Sequence, residues 1–112
     1  MKISERKNGE VVVFELAGEL DFHTSPELRE KMQAVSQKPG HRMIVNLKKV
    51  SYIDSSGLAT FVEALQKAKR SGGKLVLTDL AVSVKSVFEI AKLDKVFTLA
   101  ASETEALSMT AA

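Results

Sequence analysis

The sequence predicts an α/β domain in which a mixed β-sheet packs against helices, and three observations carry that expectation. Short runs of β-branched and apolar residues, such as Val11-Val12-Val13-Phe14 and Met43-Ile44-Val45-Asn46-Leu47, have the character of covered strands. Other stretches repeat their apolar residues at helical spacing, most clearly Leu58, Phe61, Val62, Leu65 and Ala68. Glycines, prolines and capping residues mark the joins and set the order β-β-α-β-α-β-α-β-α.

Taken in order, residues 2–7 and 10–17 read as two antiparallel strands. Asn8-Gly9 between them is a dipeptide that accepts positive φ at both positions of a tight hairpin. The second strand is apolar at Val11, Val12, Val13, Phe14 and Leu16, so both its faces should be covered, and Gly18 after it marks a bulge or a close backbone approach. A helix begins near Thr24 or Ser25, because Thr24 and Glu27 have capping-box spacing and Ser25-Pro26 fits a cap followed by a first helical residue. Leu28, Met32 and Val35 are its stripe, and Lys38-Pro39-Gly40 stops it. A strand over 42–47 follows, with His41 in the turn before it.

The next helix starts at about Ser55 or Ser56 and ends at Lys67, Lys69 and Arg70, which suit the negative end of its dipole, before Gly72-Gly73. Residues 74–78 form another covered strand. Val84, Val87, Phe88 and Ala91 line one side of a third helix, and a short strand over 96–99 comes after it. Ser102 and Glu105 make a capping box for a last helix over 103–109, with a thin stripe of Ala106, Leu107 and Met109 and fraying expected at Ala111-Ala112.

At 112 residues the chain is read as one domain spanning 1–112, large enough for its own core. Sixteen Lys and Arg against fourteen Asp and Glu leave a net charge of +2, which makes no electrostatic case for nucleic acid or anionic lipid. Cysteine is absent, which removes disulfides, thiolate metal sites and cysteine nucleophiles together. The first residues carry no apolar stretch of signal-peptide length, and the apolar run from Val11 is broken by Glu15, so a cytoplasmic location is expected.

The junction Asp54-Ser55-Ser56-Gly57-Leu58 carries the most chemistry. Asp54, Ser55 and Ser56 are good helix caps, and Gly57 keeps the first turn uncluttered. A helix start offers unpaired N–H groups and partial positive charge, so a hydroxyl there sits where phosphate is welcome. On spacing alone, a Ser-Ser pair before a helix reads first as a cap and only second as a modification site.

Three segments together change that balance: Gly18-Glu19-Leu20-Asp21, Val50-Ser51-Tyr52-Ile53-Asp54-Ser55-Ser56-Gly57-Leu58 and Ser71-Gly72-Gly73-Lys74-Leu75. With them the chain resembles the bacterial anti-sigma factor antagonists of the STAS domain family over nearly its whole length. The resemblance implies that Ser56, directly before the glycine, is the phosphate acceptor. It further implies a partner-facing surface made of Asp21, His23, Thr24, Asp54, Ser55 and Gly57. One departure is Ala81-Val82, where the family favours Ser-Pro at a helix start. Phe22 and Tyr52 are expected to pack beneath their loops, as large aromatics mostly do.

An enzyme can be imagined from Asp21, His23, Asp54 and Ser56, but no Gly-x-Ser-x-Gly elbow or oxyanion-hole pattern accompanies them. No catalytic residue, cofactor or metal site is therefore assigned. His23 and His41 lack metal-ligand spacing, and Ser71-Gly72-Gly73-Lys74 lies after a helix and before a strand, the reverse of a phosphate-binding loop. What remains is a protein-binding module. In its switched form, which the resemblance implies, it sequesters an anti-sigma factor that is also a serine kinase of the histidine-kinase-like ATPase class. Phosphorylation on Ser56 releases that partner, and a metal-dependent PP2C-type serine phosphatase restores binding. The alternative is a STAS scaffold or transport accessory subunit that binds partners constitutively.

Overall fold

The computed structural model describes residues 1–111, and their five strands and four helices follow one another in the expected order. Strand β1 (Lys2–Asn8) pairs antiparallel with β2 (Val11–Leu20). From β2 onward the neighbours β3 (Arg42–Ile53), β4 (Lys74–Thr78) and β5 (Thr98–Ala100) are all parallel, giving a mixed sheet in the order β1-β2-β3-β4-β5. The helices are α1 (Ser25–Ser36), α2 (Ser55–Ser71), α3 (Val82–Ile90) and α4 (Glu103–Thr110).

Alternation along the strands divides the core into two layers. Val12, Phe14 and Leu16, with Met43, Val45 and Leu47 beside them, face Leu28 and Met32 of α1, Phe61 and Leu65 of α2, and Val84 and Phe88 of α3. The opposite face, built from Val11, Val13, Ile44, Val76 and Ala100, is covered by α4 through Ala106 and half-buried Leu107. Arg6 of β1 ties that helix down by pairing with both Glu15, at 2.9 Å, and Glu103. The C-terminal stripe differs from expectation: Met109 is exposed and Thr110 is buried, because Thr110 lies a full turn beyond Ala106 on the sheet-facing side. Ala112, where fraying was expected to reach, lies outside the described residues.

Other boundaries also differ. Asn8 pairs with Val11, so the hairpin turn is Gly9-Glu10, and only Gly9 has positive φ, at 63°. A turn with glycine at its first central position suits the strand twist, and closing there adds one more ladder pair. At the other end, β5 begins after Val96 and Phe97. Phe97 is buried and meets Phe88 edge-on at 5.5 Å. Ala91 lies past the end of α3 and is exposed. His41 does precede β3, but it is buried: its Nδ1 lies 3.1 Å from the Lys38 carbonyl. A Cβ on Gly73 would stand 2.8 Å from the His41 ring, which gives the second glycine of Gly72-Gly73 a packing role; Gly72, at φ 72°, ends α2.

The largest difference matters for function. Strand β3 runs six residues past Leu47 to Ile53, while β4 accompanies it only from Arg42 to Asn46. The extension pairs with the end of β2, bringing Leu20 beside Ile53, across register shifts near Ala17 and Gly18. Gly18 has φ of 113°, and a Cβ there would lie 3.3 Å from the Met1 backbone, so the close approach read from the sequence is present. Both strands therefore end together, beyond the rest of the sheet.

Candidate functional site

Two short loops leave the paired strand ends and each starts a helix. The Asp54 N–H donates to the Leu20 carbonyl at 3.1 Å, so the loops are joined by backbone. Asp54 is the N-cap of α2: its Oδ1 accepts from the N–H groups of Ser56, at 2.9 Å, and Gly57, at 3.1 Å. Its carbonyl takes the Leu58 N–H at 3.0 Å. Ser55, Ser56 and Gly57 are thus the first three residues of the helix.

Ser55 is exposed and Ser56 half-buried. Among the described residues no group hydrogen-bonds either hydroxyl. The Ser56 carbonyl accepts from Thr60 Oγ1 at 3.0 Å, which holds the turn without using the serine side chain. A free hydroxyl at the positive end of a seventeen-residue helix, two residues from a carboxylate, can accept a phosphoryl group without giving up a bond it already makes.

Gly57 behaves differently from the partner-facing residue that was expected. It is buried, and a Cβ on it would fall 2.7 Å from Ile53 Cγ1 and 2.9 Å from Leu20 Cγ. The helix start rests directly on the two strand ends, which only a residue without a side chain permits.

The second loop is rigid in another way. Asp21 Oδ1 accepts from the N–H groups of His23, at 2.9 Å, and Thr24, at 3.1 Å, while its carbonyl accepts from Ser25 N–H at 2.8 Å. The capping box expected between Thr24 and Glu27 does not form. Thr24 stands at the N-cap position of α1, but its hydroxyl donates to the Glu19 carbonyl at 2.9 Å and accepts from Asp21 N–H at 2.9 Å. Desolvation raises the Asp21 pKa, but the N–H groups of His23 and Thr24, the Thr24 hydroxyl and the nearby imidazole together hold it below the ordinary carboxylate value.

Asp21, His23, Thr24, Asp54, Ser55, Ser56 and Gly57 therefore lie at one end of the sheet, the carboxyl ends of parallel strands where open α/β sheets place their sites. Two residues depart from their expected packing. Phe22 is 64% exposed and Tyr52 50% exposed. Composition gave no signal for this, since aromatic side chains are covered by default; strand alternation beside the inward-facing Ile53 was the available hint for Tyr52. Among the described residues no helix is long and apolar enough to cross a membrane, and no cluster of His, Asp and Glu could hold a metal ion.

Comparison with known proteins agrees with this fold. The family model of the STAS domain matches residues 2–106. An anti-sigma-B factor antagonist of Bacillus subtilis (strain 168) is 32% identical over 101 residues, covering 90% of this chain and 92% of its own length. Among solved structures, an anti-sigma-factor antagonist (STAS) domain protein from Planctomyces limnophilus has a TM-score of 0.86 at 17% identity, with 98% of each chain covered. The Bacillus cell fate determinant SpoIIAA in its phosphorylated form has a TM-score of 0.76 at 24% identity, with 98% of this chain and all 100% of that one covered.

Proposed function

This chain belongs to the STAS domain family, and from that premise we propose that it is an anti-sigma factor antagonist switched by phosphorylation of Ser56. The observation that carries the proposal is the Ser56 hydroxyl, half-buried but unbonded among the described residues, in the first turn of α2 beside the Asp54 carboxylate. Supporting it, the Bacillus subtilis relative is an antagonist of an anti-sigma factor, and SpoIIAA takes a phosphorylated form on the same fold.

In this mechanism the unmodified protein binds an anti-sigma factor that is also a serine kinase of the histidine-kinase-like ATPase class. Ser56 Oγ attacks the γ-phosphorus of ATP held by that kinase. The bond from that phosphorus to the bridging oxygen breaks, ADP leaves, and the hydroxyl proton passes to solvent or to a base on the kinase. ATP and its metal belong to the partner, so this chain is a substrate and supplies no cofactor. A PP2C-type serine phosphatase removes the phosphate. Partners of this kind place the protein in the cytoplasm.

Three physical features favour switching without refolding. The new dianion sits at the positive helix end, which tolerates it. The Ser56 and Gly57 N–H groups are already held by Asp54, so the phosphate gains little there and meets a like charge instead. Losing 100-fold in affinity takes about 2.7 kcal/mol, within reach of a dianion desolvated against a carboxylate in an interface.

The test is incubation of the protein with the anti-sigma factor kinases of its source organism and ATP, mapping of the modified residue, and titration of both forms. Phosphate on Ser56, absent from Ser56→Ala and retained in Ser55→Ala, is expected. Ser56→Ala should bind permanently, and Ser56→Asp weakly with an unchanged fold. Tight binding by the phosphorylated protein would remove the switch, and modification at Ser55 would reassign it.

A further inference from the structure

The chain has five phenylalanines and one tyrosine. Phe14, Phe61, Phe88 and Phe97 are all buried, whereas Phe22, in the turn after β2, and Tyr52, next to last in β3, are both exposed near the strand ends that lead to Asp21 and Ser56. Tyr52 pairs with Glu19 in the ladder, Leu20 pairs with Ile53, and Phe22 follows Leu20 by two residues. One ring is therefore carried at the end of β3 and the other just past the end of β2, the paired strands on which the start of α2 rests.

The backbone that carries Phe22 is committed on both sides, through Asp21 Oδ1 to His23 and Thr24 and through Thr24 to Glu19, so the loop cannot move the residue into the core without breaking several bonds. Among the described residues its one aromatic neighbour is His23, with ring centroids 4.0 Å apart and planes tilted by 34°. Exposed aromatic rings carried on hydrogen-bonded backbone have the properties of interface anchors, which offer large apolar area with few rotatable bonds.

We infer that Phe22 and Tyr52 are the apolar anchors of the surface that Ser56 controls, and that the anti-sigma factor presents an apolar cleft that takes up both rings. This rests on the function proposed above and deepens it. Rings that seat in a cleft at this end of the sheet would exclude water from the Ser56 hydroxyl. A phosphate there would lose its hydration on binding, and that loss adds to the repulsion from Asp54.

The experiment uses the full chain and the kinase identified by Ser56 phosphorylation, with affinity measured by calorimetric titration and fold checked by circular dichroism and melting. Phe22→Ala and Tyr52→Ala should each weaken binding about 30-fold with unchanged melting temperature, as central aromatic anchors do. Ile90→Ala, which removes an even more exposed apolar side chain at the C-terminal end of α3, should bind as wild type. If either alanine variant melts early, Phe22→Leu and Tyr52→Leu replace it, with a smaller loss of affinity expected. Alanine variants that bind within twofold of wild type, while Ser56→Asp still abolishes binding, would overturn the inference and leave the switch intact. Absence of both binding and Ser56 phosphorylation in the wild type would overturn the switch and the anchors together. A wild-type dimer in sedimentation that Phe22→Ala dissociates would assign the rings to a second copy of this chain instead.

Discussion

Gly57→Ala tests how tightly the Ser56 helix is seated on the strand ends. The added methyl would lie 2.7 Å from Ile53 Cγ1 and 2.9 Å from Leu20 Cγ. These atoms are mid-chain and belong to residues that are 3% and 0% exposed, so neither side chain can swing away freely. Forcing one carbon into such a contact costs about 1–3 kcal/mol in mutational series. Against it stands the helix propensity of alanine over glycine, worth about 0.8–1 kcal/mol in a helix interior and less in a first turn. The net expectation is a loss of about 1–2 kcal/mol, or a fall in Tm of roughly 4–12 °C for a domain near this size. Thermal melting followed by circular dichroism, with urea denaturation as a second measure, reads it directly. Unchanged or raised stability in Gly57→Ala would refute the reasoning, because helix propensity would then outweigh the contact and the helix start would not be pinned to Leu20 and Ile53.

Asp54→Ala removes the acceptor of two helix N–H groups and should cost about 1 kcal/mol in urea denaturation, while Asp54→Asn should keep most of it. Acid should destabilise the protein in a defined window. Desolvation raises the Asp21 pKa, but bonds from His23 and Thr24 leave it lowered on balance, and Arg6, aided by Asn8 and against desolvation, holds Glu103 below its ordinary value. Both groups bind protons more weakly when folded. Their contribution is complete above the ordinary values of 3.8 and 4.5 and fades as pH falls through the lower folded ones, so Tm should drop below about pH 4.5. Arg6→Ala should flatten the Glu103 part of that drop, which a pH series of melting curves would show. A pH profile identical to wild type would detach Glu103 from Arg6.

Spacing and apolar runs were enough to order the helices and strands, though not to bound β3 or β5, because the residues that define them interact locally or face one side. The stripe of Leu58, Phe61, Val62, Leu65 and Ala68 needs only a sheet to cover it, and the terminator Gly72 acts through its own backbone, at φ of 72°. Ser102 likewise caps α4 through Glu105 N–H, as its spacing indicated. The same locality led elsewhere to error. Thr24 has capping-box spacing with Glu27, yet its hydroxyl goes to Glu19 and Asp21, equally near neighbours on its N-terminal side, because the turn after β2 folds it back onto the strand end.

The amino-acid sequence by itself determined an α/β chain of this element order, with Asp21 and Asp54 at the ends of strands and Ser56 at a helix start, since spacing, capping and chain order are properties of neighbours. Only the tertiary structure decided that β3 runs on to Ile53, that Asp54 bonds to Leu20, that Gly57 is enclosed and that Phe22 and Tyr52 stay in solvent. Each of those depends on which strand lies beside which, and in what register. Hydrophobicity states how much a side chain gains by burial; whether burial is available is set by residues distant in the chain.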